Sequence, residues 1–126
     1  MSHPPLIAVV DDEESVRKAL SRLLRASGYV VETHASGAEF LASLDCRRPD
    51  AVVLDLHMPG VTGFDVHAAI GRLERVLPVI VITGHDSPDT RQRVVEGGVA
   101  AYLRKPVDEQ LLLRAISDAT VAVRTN

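Results

Sequence analysis

The chain has 126 residues, a formal net charge of -3, 46% hydrophobic residues and 3% aromatic ones. That length suits one compact domain with its own core, and we expect residues 1–126 to form a single domain, core about 6–122, with tails at 1–5 and 123–126. The apolar content excludes a disordered chain, the scattered basic residues exclude direct nucleic-acid binding, the lone Cys46 excludes an internal disulfide, and no apolar run nears the ~20 residues of a membrane helix.

Met1-Ser2-His3-Pro4-Pro5 has neither the charged start nor the apolar stretch of a secretion signal, so a cytoplasmic protein without membrane contact is expected. Leu6-Ile7-Ala8-Val9-Val10 begins a series of short apolar runs at 6–10, 29–33, 51–54, 79–82 and 100–103, which alternate with stretches of helical period. Val16, Ala19, Leu20, Leu23 and Leu24 share one face and predict a first helix over about 13–27, ended by Gly28. Ser36 with Glu39 makes a capping box for a short second helix carrying Gly37, Phe40, Leu41 and Leu44, and Pro49 ends that connection. A third helix begins near Gly63 and turns Val66, Ile70, Leu73 and Leu77 inward until Pro78 stops it. Ser87 and Pro88 open a fourth over about 88–97, anchored only by Val94 and Val95 and therefore the weakest packed. Asp108 caps a fifth, whose stripe is Leu112, Ala115, Ile116 and Ala119 with Leu111 beside it.

Alternating strands and helices predict an α/β fold: a doubly wound (βα)5 three-layer sandwich around a five-stranded parallel sheet. Strands apolar throughout need helices on both faces, and right-handed crossovers then favour the flavodoxin-like order 2-1-3-4-5. That order opens a crevice at the carboxyl ends of strands one and three. Asp11 and Asp12 follow the first strand and Asp55 follows the third, so acids stand on both walls. Glu13 and Glu14 read as helix-start acids.

Three neighbouring carboxylates raise one another's pKa unless a cation joins them. Mg2+ (or Mn2+) suits an open cup of few oxygen ligands beside a phosphate. Thr83 and Lys105, at two further strand ends, add a hydroxyl and an ammonium. Metal, ammonium and hydroxyl are what a transferring phosphoryl group needs, with Asp55 the nucleophile that becomes an acyl phosphate.

At this point the chain resembles the receiver domain of two-component response regulators, from Leu6 to about Ala122. The resemblance rests on Asp11-Asp12, on Asp55 followed by Met58-Pro59-Gly60 and Gly63, on Thr83-Gly84, and on Tyr102 with Lys105-Pro106. Ile82-Thr83-Gly84-His85, Gly97-Gly98 and Leu103-Arg104-Lys105-Pro106 look closest to receivers of the FixJ type. The resemblance implies that Asp55 accepts the phosphoryl group from a sensor histidine kinase. It further implies that Asp12, Asp55 and the His57 backbone carbonyl hold the metal, with Asp11 acting through metal-bound water. Thr83 and Lys105 would bind phosphoryl oxygens, the bond before Pro106 would be cis, and Thr83 with Tyr102 would form the switch.

His57 and His85 depart from the small polar or acidic side chains usual at these places, and the sharper reading is that both imidazoles overhang the site and tune phosphoryl lifetime near their ordinary pKa of ~6.5. Arg17, Ser21 and Arg25 on the first helix are candidates for the kinase-docking side. Val94, Val95, Val99 and Leu111 are candidates for an apolar patch on the face of helix four, strand five and helix five. The expected protein is a signalling switch, probing no external substrate as a turnover enzyme would. Its expected partners are a kinase, a second copy through that face, and a DNA-binding output domain C-terminal to this chain. A haloacid-dehalogenase-like phosphatase is the main rival, but it wants a second Asp where His57 stands. A flavodoxin-like cofactor binder would have its phosphate repelled by Asp11-Asp12-Glu13-Glu14. A degenerate receiver acting as a scaffold would not need the complete acid, Thr and Lys set.

Overall fold

Leu6–Val10 is buried along its whole length, and its residues alternate between two cores: Ala8 and Val10 join one, Ile7 and Val9 the other. A strand apolar on both sides needs helices above and below it, and the architecture supplies them. The computed structural model describes residues 3–125, so Met1, Ser2 and Asn126 of the expected tails lie outside the described residues. In chain order the elements are β1 (Leu6–Val10), α1 (Glu14–Ala26), β2 (Val30–His34), α2 (Gly37–Ser43), β3 (Ala51–Asp55), α3 (Gly63–Ile70), β4 (Val79–Thr83), α4 (Pro88–Glu96), β5 (Ala101–Arg104) and α5 (Glu109–Thr125). All strand pairs are parallel and the order is β2-β1-β3-β4-β5, as expected.

Phe40, Val66, Ile70 and Val94 from α2, α3 and α4 close over Val52, Leu54, Val79 and Val81. On the other side, Leu20 and Leu24 of α1 and Leu112, Ile116 and Ala119 of α5 close over Val53, Ile80 and Ile82. Each such aliphatic side chain contributes roughly 1.5–3 kcal/mol relative to exposure, so the two layers hold the sheet edge to edge. The helix starts are capped as their sequences indicate: Ser36 and Ser87 accept from the backbone of Glu39 and Thr90, and Asp108 accepts from Leu111. A reciprocal box forms at Thr62 with Asp65, while Glu39 reaches back to Ala35 N–H, one residue before its cap.

Several expectations change. α3 ends at Ile70, with Gly71 at its C-cap; Leu77 is still buried and Leu73 half-buried, but both come from irregular chain. Gly71 weakens the helix, and Leu77, preceding Pro78, is sterically biased toward extended backbone, so the helical spacing beyond Ile70 misleads. Ala19 is exposed on α1, which narrows that stripe to Leu20 and Leu24 with Val16 and Leu23 at its margin. On α4 only Val94 is buried, because Val95, one residue on, points about 100° away. α5 continues to Thr125 where a tail was expected from residue 123.

The register decides where the chemistry goes. Val10 pairs with Leu54, Asp55 with Ile82, and Thr83 with Arg104, so Asp11, Asp55, Thr83 and Lys105 emerge at one pole. α3 is pressed against the same pole at Gly63, whose N–H donates to the Leu56 carbonyl at 3.0 Å. A Cβ at Gly63 would fall onto the Asp55 carbonyl oxygen and within 2.6 Å of Leu56 Cα.

Candidate functional site

Asp55 closes β3 and is 3% exposed, Asp11 follows β1 and is fully buried, and Asp12 beside it is open to solvent. One carboxylate oxygen from each lies within 4.8 Å of the others. Lys105 enters from the end of β5, with Nζ 2.9 Å from Asp11 Oδ2, 3.3 Å from Glu13 Oε1 and 3.6 Å from Asp55 Oδ1. The Lys105–Pro106 bond that follows is cis, as the resemblance implied.

The charges are not balanced. Burial, and then the neighbouring Asp11, push the Asp55 carboxyl up to about 6, although Lys105 and the His57 N–H, 3.4 Å from Asp55 Oδ1, act the other way. Burial also works against the Lys105 ammonium, but contact with Asp11 and the charges of Asp55 and Asp11 outweigh it and hold its pKa above the ordinary lysine value. Asp11 Oδ2 is buried without a hydrogen bond, its ammonium neighbour being close but not aligned as a donor. A cluster of three carboxylates, one of them with a buried oxygen that has an ion-pair neighbour but no aligned hydrogen bond, fits a hard divalent cation, because oxygen ligands and excess negative charge are what such an ion requires.

Thr83, fully buried at the end of β4, reaches this cluster through His57. Its Oγ1 accepts from the His85 N–H at 3.0 Å and lies 3.2 Å from His57 Nδ1. An imidazole with Nδ1 unprotonated accepts the remaining hydroxyl proton. The His57 ring also meets His85 at 4.8 Å between centroids and Phe64 at 6.2 Å, both edge-on. Burial, then the nearby charges of His85 and Lys105, hold the His57 pKa below 6.5, which moves its titration below the window expected from sequence.

Tyr102 stands apart from the acids. Its hydroxyl donates to Asp86 Oδ1 at 2.8 Å, and Asp86 Oδ2 also pairs with Arg91 at 3.1 Å and Arg104 at 3.8 Å. Asp86 was not legible as a functional residue, since nothing in its spacing distinguishes it from a turn acid. Glu13 was read as a helix-start acid, yet it makes no side-chain cap bond and reaches Lys105 instead. Arg17, a candidate for the kinase-docking side, folds back so that its guanidinium donates to the Asp11 carbonyl at 2.9 Å. Of the expected apolar patch, Val94 belongs to the core and Val99 is half-buried, while Val95 and Leu111 are 55% and 53% exposed.

The family model for the response regulator receiver domain matches residues 7–117. This chain belongs to that family. The receiver is 38% identical over 120 residues to the transcriptional regulatory protein GlrR of Escherichia coli, covering 94% of this chain and 27% of GlrR. It is 34% identical over 114 residues to the transcriptional regulatory protein FixJ of Rhizobium meliloti, covering 90% of this chain and 56% of FixJ. A crystal structure of a response regulator receiver protein from Burkholderia phymatum superimposes with a TM-score of 0.82 at 40% identity, covering 92% of this chain and 94% of that one. The receiver therefore spans about a quarter to just over half of these curated regulators. A phosphatase of the haloacid-dehalogenase type is not favoured, because family membership and His57 both stand against it. Among the described residues no helix is long and apolar enough to cross a membrane.

Proposed function

We propose that this receiver is a phosphorylation-driven switch in the cytoplasm, in which Asp55 attacks the phosphorus of a phosphohistidine on a sensor kinase and releases the histidine. The observation that supports it most is the convergence of Asp11, Asp12, Asp55 and Lys105 at one pole. Asp11, Asp12, Asp55 and the His57 carbonyl would hold Mg2+ or Mn2+, which offsets the charge of the phosphoryl oxygens. Lys105 supplies the second positive charge and is already within ion-pair reach of Asp55 at 3.6 Å.

In this reading Thr83 exchanges its His57 contact for a phosphoryl oxygen, and Tyr102 moves with the loop that Thr83 begins. His57 and His85 cover the site and limit attack by water on the acyl phosphate. The face made by α4, β5 and α5, where Val95 and Leu111 are exposed, changes with that loop and meets a second copy or a DNA-binding output domain. α1, which carries Arg17, Ser21 and Arg25, is the kinase-docking side, although the guanidinium of Arg17 donates to the Asp11 carbonyl and that of Arg25 to the Val31 carbonyl. The domain modifies itself and turns over no external substrate. Borohydride trapping after treatment with acetyl phosphate tests this function: the reduced residue should be Asp55, and a different modified residue would overturn it.

A further inference from the structure

The loop from Thr83 to Asp86 is tied down at both ends. At one end Thr83 is held by His57 and by its own loop's His85 N–H. At the other, Asp86 uses both carboxylate oxygens: Oδ1 on the Tyr102 hydroxyl at 2.8 Å, and Oδ2 on Arg91 at 3.1 Å and Arg104 at 3.8 Å. The Arg91 guanidinium also lies over the Tyr102 ring, 5.4 Å from its centroid. Three side chains, Arg91 from α4 and Tyr102 and Arg104 from β5, thus converge on the single carboxylate of the loop.

We propose that Asp86 is the anchor that holds the unphosphorylated domain in its resting form, by fixing the Tyr102 hydroxyl and the far end of the Thr83 loop together. This rests on the reading of the domain as a switch. Only three positions separate Asp86 from Thr83, so drawing Thr83 toward Asp55 pulls on Asp86. Movement of Tyr102, which the switch reading requires, breaks the same 2.8 Å bond. The two movements therefore share one obstacle, and neither completes while the carboxylate keeps its partners. The arginines are 55% and 70% exposed, so they orient the carboxylate while the charge-assisted bond to tyrosine carries the restraint. Burial, and then the bond to Asp86, push the Tyr102 hydroxyl pKa up to about 12, consistent with a phenol that keeps its proton for this bond.

A ligand that favours the released form binds more tightly when the resting form loses its restraint. The test is a titration of the protein with fluoroberyllate and Mg2+, an acyl-phosphate mimic, followed by the amide resonances of Thr83 and Gly84. Asp86→Ala should lower the half-saturating concentration about threefold to tenfold, the net worth of one solvent-accessible hydrogen bond. Tyr102→Phe should give a similar drop, and adding Asp86→Ala to it should give little more, because both remove the same bond. Asp86→Asn, which keeps an acceptor oxygen, should fall between wild type and Asp86→Ala. Wild type that responds while Asp86→Ala and Tyr102→Phe match it within experimental error overturns the anchor alone. Independent, additive gains in the double variant overturn it too. Failure of wild type to respond at all overturns the switch reading on which the anchor rests.

Discussion

Lys105 Nζ lies closer to Asp11 Oδ2, at 2.9 Å, than to Asp55 Oδ1, at 3.6 Å. The ammonium thus stands among the acids that would hold a cation, and ammonium and cation compete for the same oxygens. Lys105→Ala should tighten Mg2+ binding several-fold, measured by titration calorimetry, while slowing labelling of Asp55 by acetyl phosphate at least tenfold, because the phosphoryl oxygens lose their second positive charge. Weaker Mg2+ binding in that variant would contradict the competition.

The raised Asp55 pKa makes a prediction about stability with a definite sign. A carboxyl that titrates near 6 when folded and near 3.8 when unfolded is destabilising while ionised, fully so above about pH 6, and the penalty fades as pH falls toward 3.8. Metal-free Asp55→Asn should therefore be more stable than wild type at pH 7–8 by roughly 1–3 kcal/mol, with the gap closing near pH 4. Paired denaturant melts across that range check it, and a gap that widens toward acid would show that the sign is wrong.

Gly63 is the point where α3 meets the end of β3. A methyl group there has no room against the Asp55 carbonyl oxygen and Leu56, both backbone, so the helix start must retreat. We expect Gly63→Ala to cost roughly 2–4 kcal/mol in a urea melt and to weaken Mg2+ binding, since the shift reaches the Asp55 peptide itself. An unchanged melt would mean that the helix can slide freely.

The two imidazoles give a kinetic expectation. Because His57 titrates below 6.5, the acyl-phosphate half-life should stay level between pH 7 and 8. His57→Ala opens a path for water and also releases Thr83, so a half-life several-fold shorter is expected from loss of labelled protein by mass spectrometry. A half-life unchanged in both His57→Ala and His85→Ala would remove these rings from the site's chemistry.

Strand order and the meeting of Asp11, Asp55, Thr83 and Lys105 were legible in the sequence, because doubly buried strands and right-handed crossovers leave few arrangements. Each of these residues sits at a strand end, where register alone determines position. What depended on side-chain rotamers was hidden. The approach of Glu13 to Lys105, the return of Arg17 to the Asp11 carbonyl and the grip of Asp86 on Tyr102 leave no trace in spacing. The end of α3 was hidden for another reason: Leu73 and Leu77 are held by the core at helical spacing without being helical, and Gly71 and Pro78 outweighed the period.

We propose that the acids and the amine at this pole make Asp55 the acceptor of a phosphoryl group. Intact-mass analysis after incubation with acetyl phosphate and Mg2+ decides it. We predict a single alkali-labile phosphoryl group that does not form when EDTA replaces Mg2+ and is absent in Asp55→Asn. An unlabelled wild type, or a label that persists in Asp55→Asn, would contradict it.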